Sequence, residues 1–482
     1  MLNIYYGRES VDKEKFIYET IVERGFNAAS PVIVLVPDQY TLEAELQAFR
    51  ITGKNALIGL DVYSISRLGH NVLAEQGLGN ISIIDKYGRQ MLLTGIMSSL
   101  KDDLSVYADN VRKPSFIEMV NDYISQLKQY DVTPDMLAEM ADELSDGDVL
   151  SMKMKDIVKI YKAYDAGIQG KYTDSEDYVD LFIEKADQSE LLRQAKIWVY
   201  GFDSFAPKSL KVLGRLMGIS KEVNCVLTYD TNSADEDLFS LTGKVIENLK
   251  QAAFENGSDV GVTQSISGAF PDGRYDITGK NAEISHLEHE LFSTSPEAMA
   301  KGCPEGITVT EAANYYNEAE SAASYILHLV RDKKYRYRDI AVICNDREGL
   351  GAALERAFDE YSIPCFMDNK RSISGSGVAV YISALVSACV YGLRTKDIFR
   401  ALKTGLSVLD QDETEQLENY AICYKIDRSR WSRKFTFGAE RYGDDFDNIE
   451  SSRQKVAALF GKLQRTIARK QTYGEFLMSF YR

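Results

Sequence analysis

The first forty residues contain two short apolar runs with a helical pattern between them. Residues 2–6 are apolar and end at Gly7, and residues 13–24 then repeat apolar side chains at helical spacing. Residues 32–36 form a β-branched run with a proline on each side, which is typical of a buried strand in a parallel sheet. This alternation of strand and helix predicts a doubly wound α/β core.

Farther along, strand-like and helical stretches follow one another in blocks. Amphipathic repeats replace strands after residue 83, strand-like runs return at 197–202 and 223–229, and further strands are expected at 307–310 and 339–344 around a helix. We predict an α/β fold with two RecA-like doubly wound parallel-sheet cores and helical insertions, a layout that resembles superfamily-1 helicases. The predicted segments are the first core in two parts (1–82 and 191–292), a helical insertion between them (83–190), a linker (293–306), the first part of the second core (307–377) and a second helical insertion (378–482).

Composition and charge narrow the function classes. The 482 residues carry a formal net charge of −16, so the surface is not basic throughout and any contact with nucleic acid must be local. No signal peptide or membrane-length apolar run is present, which predicts a cytoplasmic protein without membrane contact. The six cysteines lie about twenty or more residues apart, so they form no compact metal-binding set.

The first strand–helix junction lies where nucleotide hydrolases have a phosphate-binding loop. Gly7 and Lys13 match the pattern G-x-x-x-x-G-K-[ST], but Asp12 replaces the second glycine and Glu14 replaces the hydroxyl that holds magnesium. Two carboxylates beside a triphosphate would repel it. We predict a degenerate nucleotide loop without ATP hydrolysis. The alternative is an autonomous ATP-binding or ATPase module with a divergent loop.

Other groups that could carry chemistry are sparse. The strand-like run at 199–205 offers one acid, Asp203, where a motor needs an acidic pair for magnesium. His286 and His289 have helical spacing but no third ligand, so no metal site and no catalytic residue are predicted. The basic segment 331–338 is either a phosphate-contacting patch or a solvated loop.

Seven short segments resemble, in order, the successive signatures of the AddB/RexB family, which supplies the B subunit of the bacterial AddAB-type ATP-dependent helicase/deoxyribonuclease. These segments are spread over nearly the whole chain. They are 36–43 (VPDQYTLE), 62–68 (VYSISRL), 175–178 (SEDY), 200–207 (YGFDSFAP), 336–342 (RYRDIAV), 363–366 (IPCF) and 416–420 (QLENY).

The resemblance implies a place in a larger complex. Members of the family resemble a superfamily-1 helicase at the front and carry an iron–sulfur-stapled nuclease at the back, and this chain is identified as the N-terminal, helicase-like portion. The implied role is that of a motor-inactive scaffold which binds single-stranded DNA from a double-strand end during recombinational repair. The implied partner is the AddA-type helicase–nuclease of the same complex, which uses ATP and magnesium. No cofactor is expected in this portion, since the iron–sulfur cluster and its magnesium belong to the nuclease domain.

The same resemblance implies that the strand ends hold single-stranded DNA and take part in pausing at a recombination hotspot sequence. The positions that match by motif are Gln39 and Thr41 after one strand and Ile65, Arg67 and His70 after the next, and the aromatic segment adds Trp198, Phe202 and Phe205 as further candidates. Glutamine and arginine can contact base edges, and aromatic rings can stack on bases.

Alternatives remain open for these positions and for the chain as a whole. Family members can have aromatic side chains where Ile65 and His70 stand, which bears on hotspot recognition and leaves general strand binding open. Arg67 could instead cap a helix or pair with a surface acid, and Trp198 could belong to the core. The whole chain could also be a pure protein-interaction scaffold, as its acidic balance allows.

Overall fold

The computed structural model describes residues 1–144, 148–231, 238–278, 281–299, 306–367 and 373–481. The chain divides into two compact units, Met1–Val309 and Thr310–Arg482, and each is described by itself below. No helix in the described ranges combines the length and apolarity that crossing a membrane requires.

The first unit is built on one six-stranded sheet. All neighbouring strands are parallel, in the order β3-β2-β4-β5-β1-β6. This result confirms the α/β class and the parallel sheet expected for the first core. The strands are β1 (Leu2–Gly7), β2 (Val32–Leu35), β3 (Leu60–Tyr63), β4 (Lys196–Tyr200), β5 (Glu222–Thr228) and β6 (Val260–Ser265).

Helices connect the strands and extend the first unit. They are α1 (Lys13–Arg24), α2 (Thr41–Thr52), α3 (Ile65–Glu75), α4 (Lys86–Ser99), α5 (Pro114–Gln129), α6 (Pro134–Asp142), α7 (Val149–Ile168), α8 (Ser175–Lys185), α9 (Glu190–Gln194), α10 (Pro207–Ile219), α11 (Ser240–Glu255), α12 (Ile266–Ala269) and α13 (Ala282–Glu290).

Successive side chains of a strand point to opposite faces, so the sheet contributes side chains to two separate hydrophobic cores, one on each face. On one face Val34 and Trp198 pack with Phe16 of α1. On the other face Leu35 packs with Phe182 of α8 in a core that also includes α3, α10 and α11. Helices therefore cover both faces, which is why the central strands are apolar throughout.

Helices α4–α7 form a helical insertion with its own core, in which Leu93 and Ile160 are fully buried. The insertion is tied to α8 by one buried lysine. Lys128 Nζ on α5 lies 2.8 Å from Asp174 Oδ2 and 2.8 Å from Asp177 Oδ1. Asp174 is also the N-cap of α8, where its side chain accepts hydrogen bonds from the first turn.

The second unit is helical. The predicted helix near 318–331 is present as α14, and the helical pattern continues to the end of the described chain. The helices are α14 (Tyr315–Arg331), α15 (Leu350–Glu360), α16 (Gly377–Val390), α17 (Thr395–Leu402), α18 (Gln411–Cys423), α19 (Ala439–Tyr442), α20 (Asp445–Ala468) and α21 (Tyr473–Tyr481).

The strands expected around α14 are the main correction to the predicted fold. Residues 307–310 and 339–344 form no strand, and the second RecA-like sheet is absent from the described residues. Val309 is 93% exposed and Ile343 is 92% exposed. A β-branched run favours an extended backbone, but a strand also needs neighbouring strands for its backbone hydrogen bonds, and a pattern within one segment cannot supply them.

Candidate nucleic-acid interface

The turn between β1 and α1, which corresponds to the predicted nucleotide loop, is closed by its own side chains. Asp12 caps α1, because its Oδ1 accepts a hydrogen bond from the backbone N–H of Lys15 at 2.9 Å. A helix N-terminus attracts anions through its free N–H groups and the helix dipole. The Asp12 carboxylate already lies there, so a phosphate would meet a negative charge and a Cβ in place of an open glycine.

Lys13 points back into the same turn. Its Nζ donates hydrogen bonds to the backbone oxygen of Arg8 at 3.0 Å and to Glu9 Oε1 at 3.3 Å. Glu9 Oε1 also accepts a hydrogen bond from Thr228 Oγ1 at the end of β5, at 2.7 Å. Arg8 in turn pairs with Asp230 at 2.7 Å. The lysine that would reach a phosphate in a working loop is therefore buried against protein acceptors.

Glu14 is tied to the end of β2. The Tyr40 hydroxyl donates a hydrogen bond to the Glu14 carboxylate. Burial raises the pKa of Glu14, the hydrogen bond from Tyr40 lowers it, and the negative charge of Asp12 raises it again, with a net upward shift. Burial and the contact with Glu14 also raise the pKa of Tyr40. The side chains of this turn, taken together, do not suit a magnesium–triphosphate.

The other predicted metal-related residues do not assemble. Asp203 is exposed in the turn after β4. His286 Nε2 contacts the backbone oxygen of Glu297 at 2.9 Å, and His289 Nδ1 lies 2.9 Å from Glu290 Oε1. Within the ranges that the structure describes, no group of three or more His, Cys, Asp or Glu side chains could hold a metal ion.

The predicted DNA-binding positions follow three neighbouring strands. Because β3, β2 and β4 are adjacent and parallel, their carboxyl ends lie side by side at one edge of the sheet, about 5 Å apart from strand to strand. Gln39 is exposed in the turn after β2. Thr41 begins α2 and is buried, and its Oγ1 donates to the backbone oxygen of Asp38 at 3.1 Å. Gln39 therefore faces solvent, whereas Thr41 shapes the turn.

The end of β3 presents Arg67 and His70 on the first turns of α3. Ser64 is the N-cap, and its Oγ accepts a hydrogen bond from the Arg67 N–H at 3.3 Å. Arg67 and His70 are both exposed and three residues apart, so they share one helix face. His70 Nδ1 lies 3.4 Å from the Tyr178 hydroxyl of α8. Ile65 is half-buried against the core. Among the described residues, the Arg67 guanidinium has no ion-pair partner.

A contact that the sequence patterns did not indicate joins the β2 and β3 turns. Ser66 Oγ donates a hydrogen bond to Asp38 Oδ1 at 2.8 Å, and it lies 2.9 Å from Ser64 Oγ. Asp38 and Ser66 are 28 positions apart, so no local spacing pairs them. Only the adjacency of the two strands brings their turns together.

The aromatic candidates after β4 divide into two kinds. Trp198 is 1% exposed and lies inside the sheet core, where its ring stacks on Tyr5 with centroids 6.0 Å apart. It therefore presents no ring face to a base, and we exclude it from the interface. Phe202 and Phe205 are half-buried beside the β4 end, with ring centroids 5.1 Å apart.

The basic segment 331–338 belongs to the second unit, and two of its arginines are paired with acids. Arg331 Nε lies 2.8 Å from Asp332 Oδ1, and Arg336 pairs with Asp339 at 2.8 Å. Both ion pairs are exposed, so they would be exchangeable for phosphate at a low energetic cost. A phosphate-contacting role for this segment stays a prediction.

A protein-family model described as "ADDB, N-terminal" matches residues 4–288, which is more than half of the chain and includes every candidate position discussed for β1 to β4. The chain belongs to the ADDB N-terminal family. The match ends before the second unit begins.

Curated relatives of this ADDB-family chain extend the similarity to nearly its full length. It is 32% identical to the B subunit of the ATP-dependent helicase/deoxyribonuclease of Alkaliphilus oremlandii, over 99% of this chain and 42% of that protein. The protein of the same name from Alkaliphilus metalliredigens is 31% identical over the same shares. That from Clostridium perfringens is 29% identical, over 95% of this chain and 40% of the relative. The chain thus spans about two-fifths of the length of these relatives.

Proposed function

We propose that this chain is a nucleotide-independent, single-stranded DNA-binding portion of the B subunit in an ATP-dependent helicase/deoxyribonuclease. In this role it holds a strand released from a double-strand end during recombinational repair, while an AddA-type helicase–nuclease partner supplies ATP-driven movement. The names of the relatives support membership in such a complex. The assignment of DNA binding to this portion rests on the exposed side chains after β2 and β3, which are Gln39, Arg67 and His70 and are called the strand-end surface below.

The main support for nucleotide independence is that the Lys13 ammonium points into its own turn and donates hydrogen bonds there. Its ammonium has two acceptors within the turn, at 3.0 and 3.3 Å, and the Asp12 carboxylate lies at the helix N-terminus. A nucleotide would have to break the Lys13 contacts and bring its phosphates close to Asp12 and Glu14. Each new charge repulsion costs free energy that a helix dipole alone does not offset.

The main support for DNA binding is the set of exposed polar and basic side chains at the carboxyl ends of β2 and β3. Gln39, Arg67 and His70 are exposed after β2 and β3, and the half-buried rings of Phe202 and Phe205 follow β4, the strand on the other side of β2. An unpaired guanidinium can contact a phosphate or a base edge, and a ring can support a base. The net charge of −16 means that such contacts must be local, so we expect moderate affinity that falls with salt by about 0.7 in log–log slope for each phosphate contact.

The test is titration of a labelled single-stranded oligonucleotide by fluorescence anisotropy, for the wild type and two arginine variants. Arg67→Ala removes the guanidinium at the strand ends. Arg50→Ala is the control, because Arg50 is exposed in the last turn of α2, nine residues beyond Thr41 and about 13 Å farther along the helix. Its guanidinium lies 3.6 Å from Glu43, and such an exposed ion pair contributes little. Arg67→Ala should weaken binding and reduce the slope of log affinity against log salt by about 0.7, the value for one phosphate contact on a single strand. Equal effects of both variants would contradict the proposed role of the strand-end surface.

A further inference from the structure

We infer that Glu14 and Tyr40 form a fixed clamp that positions the DNA-binding turn after β2. This inference rests on the proposed function and adds a positioning role for two side chains. Glu14 stands where a working nucleotide loop has its magnesium-binding hydroxyl. In this chain, Glu14 instead fixes the conformation of the turn after β2 through its hydrogen bond with Tyr40, and no ligand is needed.

The clamp joins two turns that are distant in sequence. Glu14 lies in the first turn of α1, and Tyr40 lies 26 residues later, between Gln39 and Thr41. The phenol donates to the carboxylate, and hydrogen bonds to a charged acceptor are stronger than neutral ones. The pairing is partly buried, which limits competition from water.

Other contacts hold Tyr40 on its remaining sides. The Tyr40 ring packs edge-on against Tyr200, the last residue of β4, with centroids 6.3 Å apart. The Tyr40 N–H donates to the backbone oxygen of Pro37 at 2.9 Å. A Cβ at Gly201 would lie 3.3 Å from Pro37 Cδ, so the turns after β2 and β4 pack closely. The Glu14 contact adds the tie to the β1 turn.

The effect of Glu14→Ala on DNA affinity distinguishes two roles for Glu14. A purely electrostatic role and a role in positioning Tyr40 predict changes of opposite sign. If Glu14 acted only through its charge, Glu14→Ala would tighten DNA binding by removing a negative group. If Glu14 holds Tyr40, Glu14→Ala should weaken binding about 2- to 10-fold, because the turn must then be ordered when the strand binds. Tyr40→Phe, which changes no charge, should weaken binding similarly.

The matched controls are Glu14→Gln and Glu43→Ala. Glutamine keeps an oxygen acceptor for the Tyr40 hydroxyl, so Glu14→Gln should bind at least as tightly as the wild type. Glu43 is exposed in the first turn of α2, and its charge raises the pKa of Glu14 without a hydrogen bond to Tyr40. Glu43→Ala removes a nearby negative charge together with exposed contacts to Arg50 at 3.6 Å and Gln47 at 3.1 Å, and it leaves the Glu14–Tyr40 hydrogen bond in place, so we expect unchanged or tighter binding.

Binding is measured by anisotropy and turn order by hydrogen exchange at the Tyr40 amide. Weaker binding and faster exchange in Glu14→Ala and Tyr40→Phe, with recovery in Glu14→Gln, support the clamp. Wild-type affinity in both variants, with weaker binding in Arg67→Ala, would overturn the clamp and leave the proposed function standing. Absence of binding by the wild type would overturn the proposed function and the clamp's role in DNA binding, whereas unchanged exchange would overturn the clamp as a structural element.

Discussion

Replacing Lys128 tests how the helical insertion is held on the sheet unit. Lys128 is 7% exposed, and its Nζ lies 2.8 Å from Asp174, 2.8 Å from Asp177 and 3.2 Å from Asp165. Asp174 is 1% exposed. Lys128→Met keeps most of the apolar stem but leaves Asp174 buried without its cation. Loss of one partner from a buried ion pair costs about 3–5 kcal/mol, so we expect a loss of that order in the free energy of unfolding.

The matched control is Lys162→Met on α7. Lys162 is 50% exposed and pairs with Asp135 at 2.8 Å, and solvent screening limits such pairs to about 0–1 kcal/mol. Unfolding in denaturant would be followed by the fluorescence of Trp198, in a Trp431→Phe background that removes the indole of the second unit. A loss below about 1 kcal/mol for Lys128→Met, equal to that of the control, would refute the reasoning.

Asp174 gives this ion cluster a pH dependence at its acidic end. Burial raises the pKa of the Asp174 carboxyl, but the Lys128 ammonium and the hydrogen bonds from Asp177 together outweigh it, so the net pKa is lowered. Burial raises the pKa of Asp165 and of Asp177, so the sign argued here is that of Asp174. A lowered pKa means that the stabilising contribution is present above the ordinary aspartate range and is lost as the pH falls through the lowered value. The destabilisation caused by Lys128→Met should therefore shrink in strongly acidic buffer, and a constant difference would contradict the assignment.

Three further predictions concern the turn and the core. Lys13→Ala should lower the free energy of unfolding by about 1–3 kcal/mol in denaturant, because Lys13 donates to two protein acceptors. Mg-ATP should leave the unfolding temperature of both the wild type and this variant unchanged. Trp198→Ala should cost about 3–5 kcal/mol in denaturant unfolding followed by far-UV circular dichroism, as expected for a core side chain, and greater loss of DNA affinity than of folded protein would contradict this. Since the pKa of Glu14 is raised, ionisation of Glu14 lowers the stability of the fold as the pH rises above the ordinary glutamate range. In Glu14→Gln, the unfolding temperature should therefore depend less on pH over that range.

Patterns within one segment predicted the first unit well. The proline-bounded run at 32–36 and the runs at 197–202 and 223–229 became β2, β4 and β5 of a parallel sheet. The charges of Asp12 and Glu14 are also evident from the sequence, because they do not depend on the surrounding fold, whereas the absence of ATP hydrolysis stays a prediction. Local chemistry of this kind depends on the residue itself and on its position after a strand.

Contacts between distant segments could not be predicted in the same way. The bonds between Glu14 and Tyr40 and between Ser66 and Asp38 join residues 26 and 28 positions apart, and only the strand order brings them together. Trp198 was a candidate from the aromatic segment that also contains the half-buried Phe202 and Phe205, and its position in β4 with its ring in the sheet core decides its burial. The runs at 307–310 and 339–344 have strand composition but no ladder in the described structure.

The most direct test of nucleotide-independent DNA binding is one anisotropy titration, performed across a salt series with EDTA and again with Mg-ATP. We predict binding of single-stranded DNA that weakens with salt and has the same dissociation constant at equal free salt in both conditions, since Lys13 is occupied within its turn. Binding that occurs only with Mg-ATP, or none at low salt, would contradict the account.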